Sequence, residues 1–208
     1  MQTPFWYYPV IVIGSYLLGS LSLSVILSGS IFGKDIRSMG SGNAGATNMA
    51  RMFGWSAGLL TLAGDAAKAV IAMLVGNALA GDIGLSLAAA GCIVGHCFPI
   101  FHNFKGGKGI SVGGAIAFGL DWRLGVIVVA SFLIVALLSK KVSLGSVAAA
   151  VTITVASILL HLSLPKILCA IFCMCVAILR HRANIGRLID GTEPDFKAGK
   201  DKKLRRDE

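Results

Sequence analysis

Gly40 to Arg51, GSGNAGATNMAR, sets three glycines, two asparagines, a serine, a threonine and an arginine between two strongly apolar stretches. A turn built on Gly40, Gly42 and Gly45 can turn successive backbone N–H groups toward one point, a concave site for an anion. Ser41, Asn43, Thr47 and Asn48 add neutral polar groups. Arg51 adds a planar guanidinium whose fork matches phosphate. The glycines also satisfy GxGxxG, but a dinucleotide fingerprint needs a preceding strand and a βαβ unit. An all-helical membrane chain has neither. A polar loop whose arginine only sets topology is the plainer alternative, and it has no need of this density of asparagine and glycine.

HCFPIFHNFKGGKG, His96 to Gly109, is the second such stretch. Pro99 ends or kinks a helix. Gly106 and Gly107 precede Lys108, and a lysine held in a glycine turn again suits phosphate. The stretch is not a Walker loop, because Gly109 stands where Ser or Thr is required. A basic topogenic loop explains it equally well. In RHRANIGRL, Arg180 to Leu188, His181 and Asn184 lie three apart and share a helical face, and Arg180, Asn184 and Arg187 align at i, i+4, i+7. His181 is read as a base, a hydrogen-bond donor or a cap. Ser143 and Ser146 in KKVSLGS are weaker signals, since a serine at a helix start is usually an N-cap. Asp65 and Lys68, at i, i+3 inside an apolar stretch, read as an ion pair within the membrane.

The sequence has no HExxH, no GxSxG, no HxxxxD and no paired carboxylates, which argues against protease, esterase and glycosidase chemistry. The five cysteines form no CxxC pair and no zinc spacing. They read as small apolar residues. No metal site and no cofactor are expected.

The elements that must position these residues are membrane helices. Of 208 residues, 55% are hydrophobic and 14% charged, whereas a soluble domain carries about a quarter charged residues. The mean hydropathy is +0.79. Seven apolar segments are expected, at 5–32, 55–80, 83–101, 110–120, 122–139, 143–163 and 165–181. All read as helices, because backbone in lipid must satisfy its own hydrogen bonds. The chain is thus an all-α integral membrane protein of about seven transmembrane helices. Residues 1–188 form one polytopic domain, followed by a basic polar tail over 189–208. Segment 110–120 is too short for a ~30 Å hydrocarbon core, so it is tilted, partly buried in protein, or continuous with its neighbour at GLDWR. Lys34, Arg37 and Arg51, then Lys105 and Lys108, then Lys140 and Lys141, and every basic residue from Arg180 onward fall on one side. Arg123 and Lys166 fall on the other. The positive-inside rule makes the rich side cytoplasmic, with the N-terminus outside and the C-terminus inside. All the chemical stretches then face the cytoplasm. The net charge of +9 is mostly topology, and no aromatic-and-basic module points to nucleic acid.

Taken together, the three stretches resemble the signatures of the bacterial membrane glycerol-3-phosphate acyltransferases that use acyl phosphate, the PlsY family. The likeness runs from GSYLLGS at Gly14–Ser20 to the tail. It implies a seven-helix enzyme of the bacterial cytoplasmic (inner) membrane with its active site on the cytosolic side. Such an enzyme moves a fatty acyl group from acyl phosphate to the primary hydroxyl of sn-glycerol 3-phosphate. Lysophosphatidic acid and phosphate are the products, in the first committed step of phospholipid synthesis. It also implies a soluble enzyme that supplies the acyl phosphate. Ser41, Thr47, Asn48, Arg51, Lys108, Ser146, His181 and Asn184 match the family's site positions. Two positions depart from the pattern: Val112 stands where the family often has a hydroxyl residue, and Ala183 where it often has glutamate.

On this reading His181, Lys108, Arg51 and Asn184 carry the reaction. Ser41, Gly42, Asn43, Gly45, Thr47, Asn48, Gly106, Gly107 and Ser146 bind the phosphate and glycerol. The glycerol hydroxyl is expected to attack directly, with His181 or the donor's own phosphate as base. The acyl groove is expected near the short fourth segment and Pro99. The competing classes are a transporter of a small phosphorylated solute, which glycine-broken basic helices also fit, and a lipid-binding scaffold.

Overall fold

The computed structural model describes residues 4–200. Among them there is no strand, and nine α-helices carry the fold. α1 (Tyr7–Gly19) and α2 (Leu23–Phe32) form one broken apolar stretch. α3 (Ala46–Phe53) is short, and α4 (Trp55–Cys97) is the longest. α5 (Ile110–Leu120), α6 (Trp122–Ser139), α7 (Val142–Leu159), α8 (Leu164–Arg180) and α9 (Arg182–Ile189) follow.

α4 is a hairpin. Its helical path breaks at Ala80 and Gly81, where Gly81 takes φ +55°, a left-handed conformation that glycine adopts without steric cost. Beyond the break the chain runs back along itself. His96 Nδ1 lies 3.2 Å from Lys68 Nζ, although 28 helical residues would otherwise separate them by about 42 Å. The two arms correspond to the expected segments 55–80 and 83–101. α1 packs along the second arm on a seam of small residues. A Cβ on Gly91 or Gly95 would collide with Val12 O, Ser15 Oγ or Tyr16 O, so only glycine allows this backbone approach.

Small residues lie inside and large apolar residues lie outside. Ala69, Ala88, Ala89, Cys92, Ala117 and Ala170 are buried, while Leu59, Leu74, Leu137, Leu138 and Leu168 are exposed. That inversion suits a hydrocarbon solvent, in which association rests on close packing rather than on hiding oily surface. Four segments have the length and hydropathy to cross a membrane, and a fifth is added if α8 and α9, bent by 63°, count as one broken span. The expected seven counts the α4 hairpin twice and includes α5. α5 has only 11 residues, and one side of it, Val112, Ala115, Ile116 and Leu120, is buried in the bundle.

The 33–54 connection is more ordered than a polar loop. Ile36, Ala44, Met49 and Phe53 form a second small core, and Phe32 stacks on Phe53 at 4.1 Å. Arg37 pairs with Asp35 and donates to His102 O at 2.8 Å, tying the first basic connection to the second.

Residues 190–200 belong to the fold, although the sequence reads 189–208 as a tail. They cross from the start of α7 to α3: Phe196 N donates to Lys140 O at 3.0 Å, and Gly199 N donates to Ala50 O at 3.0 Å. Phe196 meets the Trp55 ring edge-on. The rest of the expected tail, 201–208, lies outside the described residues.

Candidate active site

At one end of the bundle the connections converge on a cleft of about 110 Å³. Ser41, Asn43, Gly45, Thr47, Asn48, Arg51, Lys108, Ser146, His181 and Asn184 all line it. Three connections far apart in the chain therefore build one polar chamber.

The first connection is shaped by Asn48, which is 1% exposed. Its Oδ1 accepts from Ser41 N at 3.1 Å, and its Nδ2 donates to Met39 O, Asn43 O and Ile36 O at 2.9, 3.1 and 3.3 Å. Every polar atom of the side chain is thus committed to the loop. Asn48 is the clamp that fixes Ser41 and Asn43 at the rim, rather than a free donor for substrate.

The anion-binding amides differ from those expected. Gly42 N, Gly45 N and Gly107 N donate to Met39 O, Asn43 O and His96 O, so these glycine amides are already used. Gly42, Gly106 and Gly107 also lie outside the lining. A Cβ on Gly107 would strike His96 Nε2 and Ala44 O, and one on Gly106 would strike His96 O. These two glycines serve close packing. Among the amides without a protein partner are those of Ala46 and Thr47, which line the cleft in the first turn of α3, a turn that the backbone of Gly45 caps. Helix N-termini present unsatisfied N–H groups with a partial positive charge, the arrangement that receives phosphate. The glycines prepare this turn rather than forming the nest themselves.

Three cations face the cleft: Arg51, Lys108 and Arg187. Lys108 Nζ donates to Asn184 Oδ1. Burial makes its ammonium costly and pulls its pKa down to about 8, with help from the neighbouring arginines and against Glu193. Arg180 does not join them. The 63° bend between α8 and α9 breaks the i, i+4, i+7 alignment. Arg180 instead donates to Gly107 O and Gly106 O at 3.0 Å each and lies over the Phe98 ring, bracing the Lys108 loop from behind.

His181 sits at that bend and is 3% exposed. Its Nδ1 is 2.8 Å from Ala177 O. A carbonyl oxygen only accepts, so Nδ1 carries the proton and Nε2 offers a lone pair. Ser146 Oγ donates to Val142 O at 2.8 Å, which turns the hydroxyl lone pairs to the cleft.

Sequence reasoning missed Glu193, buried at 7% exposure. Its Oε1 accepts from Asn184 Nδ2 at 2.6 Å and its Oε2 from Arg187 Nε at 2.7 Å. Burial raises the Glu193 carboxyl pKa, but Ser143, Asn184 and Arg187 around it outweigh that and hold the group ionised, below its ordinary range. Glu193 thereby orients the Asn184 amide so that Oδ1 meets Lys108. No local signal in GTEP marks this, because the contact depends on the chain folding back after α9. His96 was also missed as a lining residue. Asp65 and Lys68 form a buried ion pair at 2.8 Å behind the cleft, with His96 as its third member.

A second, apolar groove of about 430 Å³ lies against the cleft. α4, α5, α6, α7 and α8 line it through residues such as Leu62, Ile93, Phe118, Phe132, Ile153 and Cys173. Ala46, Thr47, Ile110, Ser111 and Val142 line both spaces, so the groove opens into the polar chamber. The short α5 is part of its wall as expected, while Pro99 is not. Val112, where the family often has a hydroxyl, is fully buried in the bundle.

A family model described as glycerol-3-phosphate acyltransferase matches residues 9–191. The glycerol-3-phosphate acyltransferase of Syntrophotalea carbinolica is 37% identical over 195 residues, covering 91% of this chain and 97% of that relative. That of Jannaschia sp. is 39% identical over 181 residues, covering 86% and 88%. The crystal structure of PlsY (YgiH), an integral membrane glycerol 3-phosphate acyltransferase, in its glycerol 3-phosphate form superposes with a TM-score of 0.88 at 30% identity, covering 92% of this chain and 96% of that one. Its lysophosphatidic acid form gives 0.85 at 28% identity, with the same coverage.

Proposed function

This chain belongs to the glycerol-3-phosphate acyltransferase family, and from that premise we propose that it acylates the 1-hydroxyl of sn-glycerol 3-phosphate with acyl phosphate as donor. One observation carries the reading: a cleft with three cations and free helix-terminal amides opens directly into an apolar groove. Acyl phosphate has the same two-part character, a phosphate head and a long hydrocarbon chain. Its phosphate and that of glycerol 3-phosphate fit a chamber holding Arg51, Lys108 and Arg187. The fatty chain fits the groove, whose walls are mostly Ala, Gly, Val, Ile, Leu and Phe.

The carbonyl carbon then sits where the two spaces join, beside Thr47, Ser111 and Val142. His181 Nε2 accepts the hydrogen bond of the attacking hydroxyl and aims its oxygen. The C–O bond to glycerol forms and the bond from carbonyl carbon to phosphate oxygen breaks, with its electron pair leaving on phosphate. The hydroxyl proton goes to the departing phosphate. No acyl-enzyme is needed, because the mixed anhydride is already activated and carries its own leaving group. Holding both reactants together accounts for about 7–11 kcal/mol of barrier reduction. Lys108 and Arg51 offset the charge of two phosphates brought side by side.

The basic connections support a cytosolic active site in a bacterial inner membrane, where a soluble enzyme delivers acyl phosphate for the first committed step of phospholipid synthesis. The test is formation of lysophosphatidic acid by the purified protein in detergent, with phosphate release followed alongside. Product forms only when acyl phosphate and glycerol 3-phosphate are both present, and acyl-CoA does not replace acyl phosphate. Lysophosphatidic acid formed from acyl-CoA in place of acyl phosphate would refute the donor assignment. No product with any donor would refute the reaction.

A further inference from the structure

Building on that reaction, we propose that His96 is a further catalytic residue, an Nε2–H donor to the acyl carbonyl oxygen as the glycerol hydroxyl attacks. The argument begins with Lys68. Its ammonium donates to Leu21 O at 2.9 Å, pairs with the Asp65 carboxylate at 2.8 Å and lies 3.2 Å from His96 Nδ1, which is itself 3.5 Å from Asp65 Oδ1. The ammonium is the nearer of the two partners and only donates, so His96 Nδ1 is assigned the lone pair. Neutral imidazole carries one proton, and here it sits on Nε2.

That Nε2–H points into the site without a protein partner. The residue is 4% exposed and lines the cleft, and no group among the described residues hydrogen-bonds to Nε2. Gly107 lies against this nitrogen, where a Cβ would overlap it, and Gly107 N donates back to His96 O at 3.1 Å. The nitrogen is open to the cleft rather than sealed in the core, so a substrate oxygen can become its acceptor. Three residues earlier on the same face, Ile93 lines the apolar groove. The ring therefore stands on the groove side of the cleft, where the carbonyl passes from chamber to groove, and the cations that suit phosphate are on other elements.

The two cleft histidines are thus locked in opposite tautomers. His181 presents a lone pair toward the hydroxyl and His96 presents a proton toward the carbonyl. As the hydroxyl oxygen bonds to the carbonyl carbon, negative charge gathers on the carbonyl oxygen, and the His96 hydrogen bond strengthens. When the bond to phosphate breaks, that charge returns to the carbonyl. His96 keeps its proton throughout. Lys68, drawing on the Nδ1 lone pair, polarises the ring and makes Nε2–H a stronger donor. Asp65 keeps the buried ensemble from carrying a net charge. Lys68 and Asp65 are positioning residues.

The test uses the full chain in detergent, with acyl phosphate and glycerol 3-phosphate. His96→Ala is expected to lower kcat about 10²–10³-fold, the usual loss for one oxyanion donor, with both KM values within threefold. His96→Gln, whose amide can still donate, is expected to recover at least tenfold over His96→Ala. The tautomer is read independently by ¹⁵N NMR of histidine-labelled wild type, with His96 assigned by its loss in His96→Gln: the proton belongs on Nε2 for His96 and on Nδ1 for His181. A kcat within threefold of wild type in His96→Ala overturns the assignment, as does a defect confined to KM, or a proton on Nδ1 of His96. If His96→Ala fails to fold, the glutamine variant and the tautomer decide. A wild-type protein without turnover overturns the reaction and this assignment together. Wild-type turnover with an unaffected His96→Ala overturns this assignment alone.

Discussion

Lys108 makes a pH-dependent prediction of defined sign. Its pKa of about 8, lowered by burial in the cleft, puts its loss of charge inside an accessible window. The ammonium fraction is about 0.9 at pH 7 and about 0.1 at pH 9, whereas an unperturbed lysine stays protonated across both. If the ammonium binds substrate phosphate, kcat/KM for glycerol 3-phosphate falls roughly tenfold from pH 7 to pH 9, with an apparent pKa near 8, because kcat/KM reports the free enzyme. The substrate does not confound this limb, since the second phosphate ionisation lies near 6 and is complete. At saturating substrate the bound phosphates raise the Lys108 pKa, so the kcat limb moves to higher pH. Lys108→Arg removes the titration, as guanidinium stays charged. Its profile should be flat over this range whatever its absolute activity. Initial rates of phosphate release at fixed ionic strength, each corrected for spontaneous hydrolysis of acyl phosphate, measure both profiles. A flat wild-type profile between pH 7 and 9, or the same limb in Lys108→Arg, would refute the role given to the buried ammonium.

Three further outcomes are expected. His181→Gln should keep at least a tenth of wild-type kcat at saturating substrate, because the departing phosphate takes the proton; a loss beyond a thousandfold with unchanged KM would make His181 the base. Asn48→Ala removes four hydrogen bonds at the loop clamp and should cost about 3–5 kcal/mol, roughly 10 °C in Tm, so a thermal shift under 2 °C in detergent would show that the loop holds without it. Gly114 lines the apolar groove and has open space at its Cβ. Gly114→Leu should therefore discriminate against long acyl phosphates by about fourfold in kcat/KM for each excluded methylene and leave the KM for glycerol 3-phosphate unchanged; equal losses on short and long donors would place the chain elsewhere.

Much of the fold was legible because lipid imposes strict rules. The apolar segments became helices, since backbone there has no other way to satisfy its hydrogen bonds, and the break between 55–80 and 83–101 fell at Ala80–Gly81. The polar connections point to phosphate because glycine, asparagine and basic residues at that density have little other use between apolar spans, and the structure brings them to one cleft. Which atoms do the binding was less readable. The amides of Gly42, Gly45 and Gly107, expected to hold phosphate, bond inward, and those of Ala46 and Thr47 stay open because α3 begins there. Asn48 read as a ligand and is a clamp, a distinction that depends on four partners within twelve residues taking up its whole amide. Arg180 and Arg187 share a helical pattern in sequence and are parted by the bend at His181.

The sequence by itself determined that the chain is helical and membrane-embedded and that its basic, glycine-rich connections share a side. These follow from composition and spacing, which act over one or two turns of chain. Only the tertiary structure decided that Arg51, Lys108 and His181 meet in one chamber, that Glu193 returns from beyond α9 to orient Asn184, and that Lys68, Asp65 and His96 come together behind the chamber. Each of those contacts joins residues brought together by the hairpin of α4, the bend after α8 or the return of the chain after α9, and no local pattern encodes where a distant element will place its side chains.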